Sequence, residues 1–470
     1  MDPAEPYPFR CPSAGDGGDH VLRRELDLGA VTFPLGDPEP EPFVRFRSFL
    51  HAYHVARGQG MGDDAFVSLV RRFDAEVARV DGHGFSATPF EAWPALGRRV
   101  GLSAALWVKD ETGNVSGSHK ARHLFGLLLY LEVVERLGLA DGATRPDLAG
   151  SAARPDLAIA SCGNAALAAA VVAAAGRRQL RVFVPVDADP RVAARLGALG
   201  ADVRVCEREP GVPGDPTVAA LREALAAGAL PFTCQGNENG LAIEGGETIG
   251  YEMVAALVAA GTELDDVVIQ VGGGALASSV AAAFAETVAL GILPRAPRLH
   301  TVQTEGAWPL KRAFDLVAER LPARSGRAEL QAVLRDAARR RASFMWPWET
   351  TSRSIAHGIL DDETYDWLAV VAAMLETGGR PVVVSELALA EANALAVEAT
   401  GIAVDATGSA GLAGLSKLRT EGVIPPDAQV ALLFTGFSRD STDPRRHPLR
   451  QREGCHEDAM EATGGEGQGE

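Results

Sequence analysis

Lysine is almost missing from this 470-residue chain. Only Lys109, Lys120, Lys311 and Lys417 occur, and arginine supplies the rest of the 45 basic residues. Each lysine can therefore be weighed singly as a candidate amine nucleophile. No apolar run long enough to span a bilayer is free of charges or glycines, which argues against a membrane protein. The opening MDPAEPYPFRCPSAGDGGDH lacks the basic-then-apolar order of a secretory leader. Five cysteines (Cys11, Cys162, Cys206, Cys234 and Cys455) lie far apart with no C-x-x-C pair, which excludes a zinc ribbon or a disulfide framework. Reduced thiols in a cytoplasmic protein fit that pattern. Positive charge is short overall, at a formal net charge of −17. A field of that sign argues against nucleic acid or an anionic membrane surface as partner. An anionic small ligand then needs its own pocket of backbone N–H groups.

What is present is a soluble composition, 47% hydrophobic and 23% charged, in a chain long enough for two subdomains. Residues 1–90 begin Pro-rich and then turn helical in pattern. FVRFRSFLHAYHVARG and DDAFVSLVRRFDAEVARV both carry apolar residues at helical spacing and predict a helical extension packed on a larger body. From about residue 100, short β-branched runs alternate with Ala/Leu-rich helical stretches. Strands are predicted at 106–108, 157–160, 181–184, 202–205, 232–234, 267–271, 300–303, 381–384 and 430–434. Helices are predicted at 165–175, 190–199, 244–260, 276–288 and 387–399. Such alternation implies an α/β protein with mainly parallel sheets covered on both faces, whose ligands sit at the carboxyl ends of the strands. The tail from 441 to 470 has few apolar residues and no period, and reads as disordered.

Four motifs fall at strand-to-helix junctions. In DETGNVSGSHKARH, a small-residue loop delivers Lys120 to the first turn of a helix, where the helix dipole disfavours a cation and favours a free amine. In ASCGNAALAAA, Ser161, Gly163 and Asn164 offer a hydroxyl, close backbone approach and an amide, a nest for a carboxylate; an ordinary N-cap reads the same way. In VVIQVGGGALASSVAAAF, an apolar strand runs into Gly272, Gly273 and Gly274 and then a helix beginning Ala275–Leu276. Successive N–H groups there suit a phosphate. The run is not G-x-G-x-x-G and no acidic ribose partner follows, so a nicotinamide site is the weaker reading. In VALLFTGFSRD, a last strand ends at Thr435, whose hydroxyl sits at the sheet edge. An amine for an aldehyde, a glycine loop for a phosphate, an amide for a ring hydroxyl and a hydroxyl for a ring nitrogen are the parts pyridoxal 5′-phosphate needs.

From about Phe90 to Asp440 the chain resembles the fold-type II pyridoxal-phosphate enzymes, the tryptophan synthase β-chain superfamily, nearest the threonine synthase and serine/threonine dehydratase branch. GSHKAR is similar to the Schiff-base lysine segment, SCGNAA to the Ser-x-Gly-Asn loop and GGGAL to the phosphate loop. LAIEGGETIGYEM, GIAVDATGSAGLAGL and FTGFSRD resemble further blocks of the threonine synthases. The resemblance implies two intertwined three-layer domains: residues 91–120 with 239–440 as the large cofactor-binding domain, and 121–238 as the small one. It implies Lys120 as the Schiff-base residue and Asn164 at the cofactor 3′-oxygen. Gly272, Gly273, Gly274, Ala275 and Leu276 would hold the phosphate, and Thr435 the ring nitrogen. Ser161 and Gly163 would meet the substrate carboxylate. It further implies a homodimer, an amino-acid substrate and no metal.

The departures bear on the reaction. His119 and Ala121 flank Lys120 where many threonine synthases have Phe and Asp, Ala275 replaces a fourth glycine, and the segment 345–367 matches neither archetype. The expected activity is α,β- or β,γ-elimination on a hydroxy- or O-substituted amino acid. A β-replacement synthase making a non-protein amino acid and a pyridoxal-phosphate carrier without turnover are the alternatives.

Overall fold

The computed structural model describes residues 5–140, 154–208, 215–322, 326–350 and 353–439; Cys455 and the expected disordered tail lie outside them. Helices α1 (Pro42–Arg45), α2 (His51–Gly58) and α3 (Asp63–Asp81) precede β1 (Phe90–Ala92), α4 (Pro94–Arg99), β2 (Leu106–Asp110) and α5 (Lys120–Arg136). Next come β3 (Leu157–Ala160), α6 (Asn164–Ala175), β4 (Leu180–Pro185), α7 (Pro190–Ala198), β5 (Asp202–Cys206), α8 (Pro216–Ala226) and β6 (Leu230–Pro231). The remainder is α9 (Ala242–Ala260), β7 (Asp266–Gln270), α10 (Ala275–Ala289), β8 (Arg298–Thr304), α11 (Pro309–Ala318), α12 (Arg327–Arg339), α13 (Trp367–Thr377), β9 (Pro381–Val384), α14 (Glu386–Thr400), α15 (Ala410–Thr420) and β10 (Val430–Phe434). Among the described residues, no helix is long and apolar enough to cross a membrane.

The strands form two sheets. One runs β1-β2-β10-β7-β8-β9 and the other β5-β4-β3-β6, so the chain leaves the first sheet after β2, builds the second and returns at β7. Every pairing is parallel except β1 on β2, where Phe90 faces Lys109. β7 and β10 are buried along their whole length, as central strands covered on both faces should be. This is the α/β architecture that the alternation implies.

Two segments depart from the sequence pattern. FVRFRSFLHAYHVARG predicts one helix, but Leu50 is extended at φ −95° and ψ 131° and splits it. The break lets Phe43 meet Phe125 at 4.8 Å and Phe49 meet Tyr251 at 4.6 Å between ring centroids. The freed His51 N–H donates to Glu244 of α9 at 2.8 Å. The strand predicted at 232–234 pairs instead at Leu230–Pro231, and the chain bends at Thr233 and Cys234. β1, three residues bounded by prolines, gives no period to detect.

Helix α5 is buried on every side from Ala121 to Val134, so packing rather than amphipathicity stabilises it. It crosses α9 with almost no gap. A Cβ on Gly245 would collide with the Arg122 carbonyl, and one on Gly126 would come 3.1 Å from the Gly245 Cα. At that crossing lies a fully buried charge cluster. The Arg122 guanidinium grips Glu111 through Nε at 2.9 Å and Nη2 at 3.0 Å, and reaches Glu252 through Nη1 at 2.6 Å. Lys109 also donates to Glu252 and, at 2.8 Å, to the Thr88 carbonyl. Two cations and two anions thus join β2, the loop after it, α5 and α9.

Replacing Arg122 with methionine strands two carboxylates beside one ammonium in this dry site. A loss of about 3–5 kcal/mol of unfolding free energy is expected in urea titration.

The N-terminal segment is pinned similarly. Arg24 contacts Glu247 and Glu286 at 2.6 Å and lies 4.0 Å from Glu244. One arginine cannot offset three carboxylates, and burial pushes Glu244 up to about 7 and Glu247 upward as well. Glu41, capping α1 through Val44 N, is pushed up to about 8, again by burial and with Asp74 adding repulsion. These groups hold protons in the folded state that the unfolded chain releases near pH 4.5. Stability is therefore greatest below the unfolded value and declines as pH rises through 7 and 8. Thermal melts from pH 5 to 8.5 should show a falling midpoint, and Glu41→Gln should flatten the decline.

Candidate active site

Between the two sheets lies a cavity of about 340 Å³, within the size range of small-molecule sites. Lys120, Ser161, Gly163, Asn164, Gly272, Gly273, Gly274, Ala275, Leu276 and Thr435 all line it. The topology explains the convergence. β2, β3, β7 and β10 are parallel neighbours within their sheets, and each motif follows the carboxyl end of one of them.

Lys120 opens α5, with His119 as its N-cap. The preceding loop is held from both ends. Asn114 caps its 3-10 turn through Val115 N at 2.8 Å and donates to Glu111 at 2.9 Å, while Phe437 N–H donates to the Gly117 carbonyl at 2.9 Å. Ser116 sits in the left-handed region at φ 59°, an arrangement that costs of order 1 kcal/mol and persists only where surroundings enforce it. Its N–H is taken by Asp81 of α3 at 2.8 Å. The N-terminal helices thus help shape the lysine loop.

The other three lysines are committed elsewhere. Lys109 is sealed in the buried cluster, Lys311 pairs with Asp315, and Lys417 reaches the Val383 carbonyl. Lys120 alone of the four lines the cavity.

Asn164 is the first residue of α6, and its Oδ1 is buried without a protein partner. Gly274, at φ 99°, ends the glycine loop as N-cap of α10, whose first-turn N–H groups have no side-chain cap. Burial and the Lys120 charge hold His119 well below the usual imidazole range, so its ring is neutral. With Nδ1 toward the Thr435 carbonyl at 3.4 Å, the proton lies on Nδ1 and the buried Nε2 is an unshared acceptor.

Sequence reasoning passed over Gln270, Asp361 and Tyr365, which also line the cavity. Gln270 is the one polar residue inside the apolar run VVIQV, which is the signal that could have marked it. Its Nε2 faces the carbonyls of Gly408 at 2.9 Å and Leu433 at 3.1 Å, so this end of the amide must be the donor. The same nitrogen lies 2.6 Å from Thr435 Oγ1 and fills an acceptor position there. The Thr435 hydroxyl proton is left to point elsewhere, into the cavity. Asp361 and Tyr365 arrive from 345–367, the segment whose sequence fits no archetype.

Residues 83–436 match the family model described as pyridoxal-phosphate dependent enzyme. The chain belongs to that family. It is 25% identical over 359 residues to threonine synthase of Methanocaldococcus jannaschii, covering 76% of this chain and 75% of that one. Its fold is similar to a bacterial-type threonine deaminase from the source abbreviated T.th. (23% identity, TM-score 0.54, 79% of this chain and 99% of that one). It is similar too to diaminopropionate ammonia lyase of Escherichia coli (16% identity, TM-score 0.56, 80% and 89%). At these identities the solved structures speak for the fold.

The residues present suit the cofactor of this family. The glycine loop admits no side chain: a Cβ on Gly272 would meet Asp361 and, at 3.0 Å, Ile359 Cα, and one on Gly273 the Tyr365 ring at 2.8 Å. Its backbone is therefore exposed as a cradle at the head of a 15-residue helix. The unpartnered Asn164 and His119 atoms are polar groups that a polar ring would meet.

Gln270→Leu removes the donor that orients Thr435 and leaves two buried carbonyls short of a partner. A roughly tenfold weaker retention of pyridoxal phosphate is expected, about the value of one hydrogen bond, read from absorbance titration of cofactor-free protein.

Proposed function

We propose that this pyridoxal-phosphate dependent enzyme is a lyase catalysing elimination on a hydroxy- or O-substituted amino acid, in the manner of threonine synthase or a serine/threonine dehydratase. The observation that carries the reading is one cavity holding the chain's one uncommitted lysine at a helix start, a carboxylate nest, a glycine cradle and an oriented hydroxyl.

Bound at this site, pyridoxal phosphate supplies a conjugated sink for the electrons released when an amino-acid α-proton is removed. The protein's part follows from its residues. Lys120 is the residue to bear the cofactor, and its amine, once released, is the base for the α-proton. Gly272, Gly273, Gly274, Ala275 and Leu276 offer N–H groups and the α10 terminus to the phosphate. Ser161 and Gly163, at the start of α6, take the substrate carboxylate, and Asn164 turns its amide to the ring oxygen. Thr435 acts as a hydroxyl donor toward the ring nitrogen because Gln270 occupies an acceptor site on its oxygen. A hydroxyl instead of a carboxylate leaves that nitrogen unprotonated, which moderates the sink and favours prompt loss of a leaving group. The diaminopropionate lyase and threonine deaminase names among the similar structures accord with this chemistry.

Residues 121–238 are read as the small domain and the remainder of 91–440 as the large one. A homodimer in the cytoplasm is the expected form, with Cys11, Cys162, Cys206 and Cys234 free.

Purified protein with pyridoxal phosphate should show a visible absorbance band that Lys120→Ala abolishes. Wild type should release ammonia and an oxo acid from serine, threonine or an O-substituted relative, measured by coupled assay. A colourless reconstituted protein would overturn the assignment.

A further inference from the structure

Residues 357–366 form a strap laid across the glycine loop. Thr364 Oγ1 donates to the Gly272 carbonyl at 2.8 Å, and Asp366 N–H donates to the Gly273 carbonyl at 3.0 Å. Ile359 and Tyr365 close against Gly272 and Gly273 as described above. The strap thereby sets the Asp361 carboxyl on the loop itself. Its Oδ2 lies where a Gly272 side chain would begin, 3.7 Å from the corresponding point on Gly273.

The groups around Asp361 come from several elements. Lys120 faces it from α5, His357, Asp362 and Tyr365 belong to the strap, Asp215 stands before α8, and His119 precedes Lys120. Among the described residues no arginine lines the cavity.

Resting on the lyase reading above, we propose that Asp361 is the proton donor to the departing group. The need for one is chemical. For a hydroxy amino acid the Cα–H bond breaks and its proton goes to Lys120, which becomes an ammonium. The Cβ–O bond then breaks with its electron pair on oxygen, and that oxygen must gain a proton to leave as water. Lys120 has just filled its own lone pair, so a second group is required.

Asp361 suits the task on three counts. It shares the cavity with Lys120. It shares the glycine cradle with the place for a phosphate, and two anions so close cannot both stay ionised, so the carboxyl is the one to hold a proton. Burial already pushes it up to about 6, with the Lys120 charge and the Gly273 amide opposing. The neighbours fit less well. His119 is held neutral with its one proton directed at the Thr435 carbonyl, burial and nearby carboxylates raise the Tyr365 hydroxyl well out of range, and His357 is exposed. Asp361 is regenerated by a proton from solvent, which balances the step as Lys120 loses its own.

The test uses the holoenzyme and Asp361→Asn, with Asp361→Glu as the conservative variant. Turnover of serine or threonine should fall about 10²–10⁴-fold in the asparagine variant, the usual worth of a positioned acid. β-Chloroalanine should be turned over nearly as before, because chloride leaves without a proton. Glutamate should restore part of the loss. Wild-type turnover of the hydroxy substrate should decline as pH rises through the carboxyl's value, and the asparagine variant should lack that limb. Independently of activity, adding pyridoxal phosphate to cofactor-free wild type should raise a protonated-carboxyl infrared band that Asp361→Asn lacks.

Equal losses on both substrates, no loss on either, or no such band would overturn the proposal. Loss of the visible cofactor band from wild type would instead strike at the lyase reading, which separates the two failures.

Discussion

The active lysine is held in place by charges that never touch the cavity. Arg122, two residues beyond Lys120, is locked between Glu111 and Glu252, and Lys109 shares Glu252 from the neighbouring strand. Burying four charges is expensive unless each is matched, and here the forked guanidinium satisfies both carboxylates at once. The cluster fixes the rotation and height of α5 against α9 and β2. The glycine pair at the crossing lets the backbones come close enough for the short contacts to form. Everything the site requires of Lys120, a set direction and a set depth, follows from that anchorage.

The site then assembles from parallel strands that deliver their loops to one end. Two sheets, one inserted in the other, bring the lysine loop, the α6 terminus and the glycine loop to a shared cleft although they lie far apart in the chain. The strap closes the third side, and its residues use the loop's carbonyls while leaving the amides to a ligand. Gln270 connects the glycine-loop strand to the threonine strand, so the two cofactor-facing elements are tied to each other as well.

Much of this is legible in the residues because period and punctuation are local. The β7 run into three glycines and the small-residue loop before Lys120 announce junctions wherever they occur. The scarcity of lysine made Lys120 visible, though it singled out Lys109 equally. Only the fold shows that Lys109 is sealed against Glu252. The break at Leu50 was hidden because the three phenylalanines keep helical spacing, while their partners lie on α5 and α9. The short β1 and β6 carry no period at all. Asp361 was out of reach for the same reason: its meaning comes from a contact with a loop some ninety positions earlier, and nothing in DDETYDW reports that contact.

The lysine count also bears on how the molecule meets reactive carbonyl compounds. With Lys109 sealed and Lys311 and Lys417 on the outer surface, the described interior presents one amine to anything small enough to enter the cleft. An aldehyde metabolite that diffuses in finds a single address, and it is the address the cofactor needs. Such a protein discriminates among aldehydes by the cradle behind the amine and not by the amine itself, because those without an anionic tail leave the glycine loop unfilled.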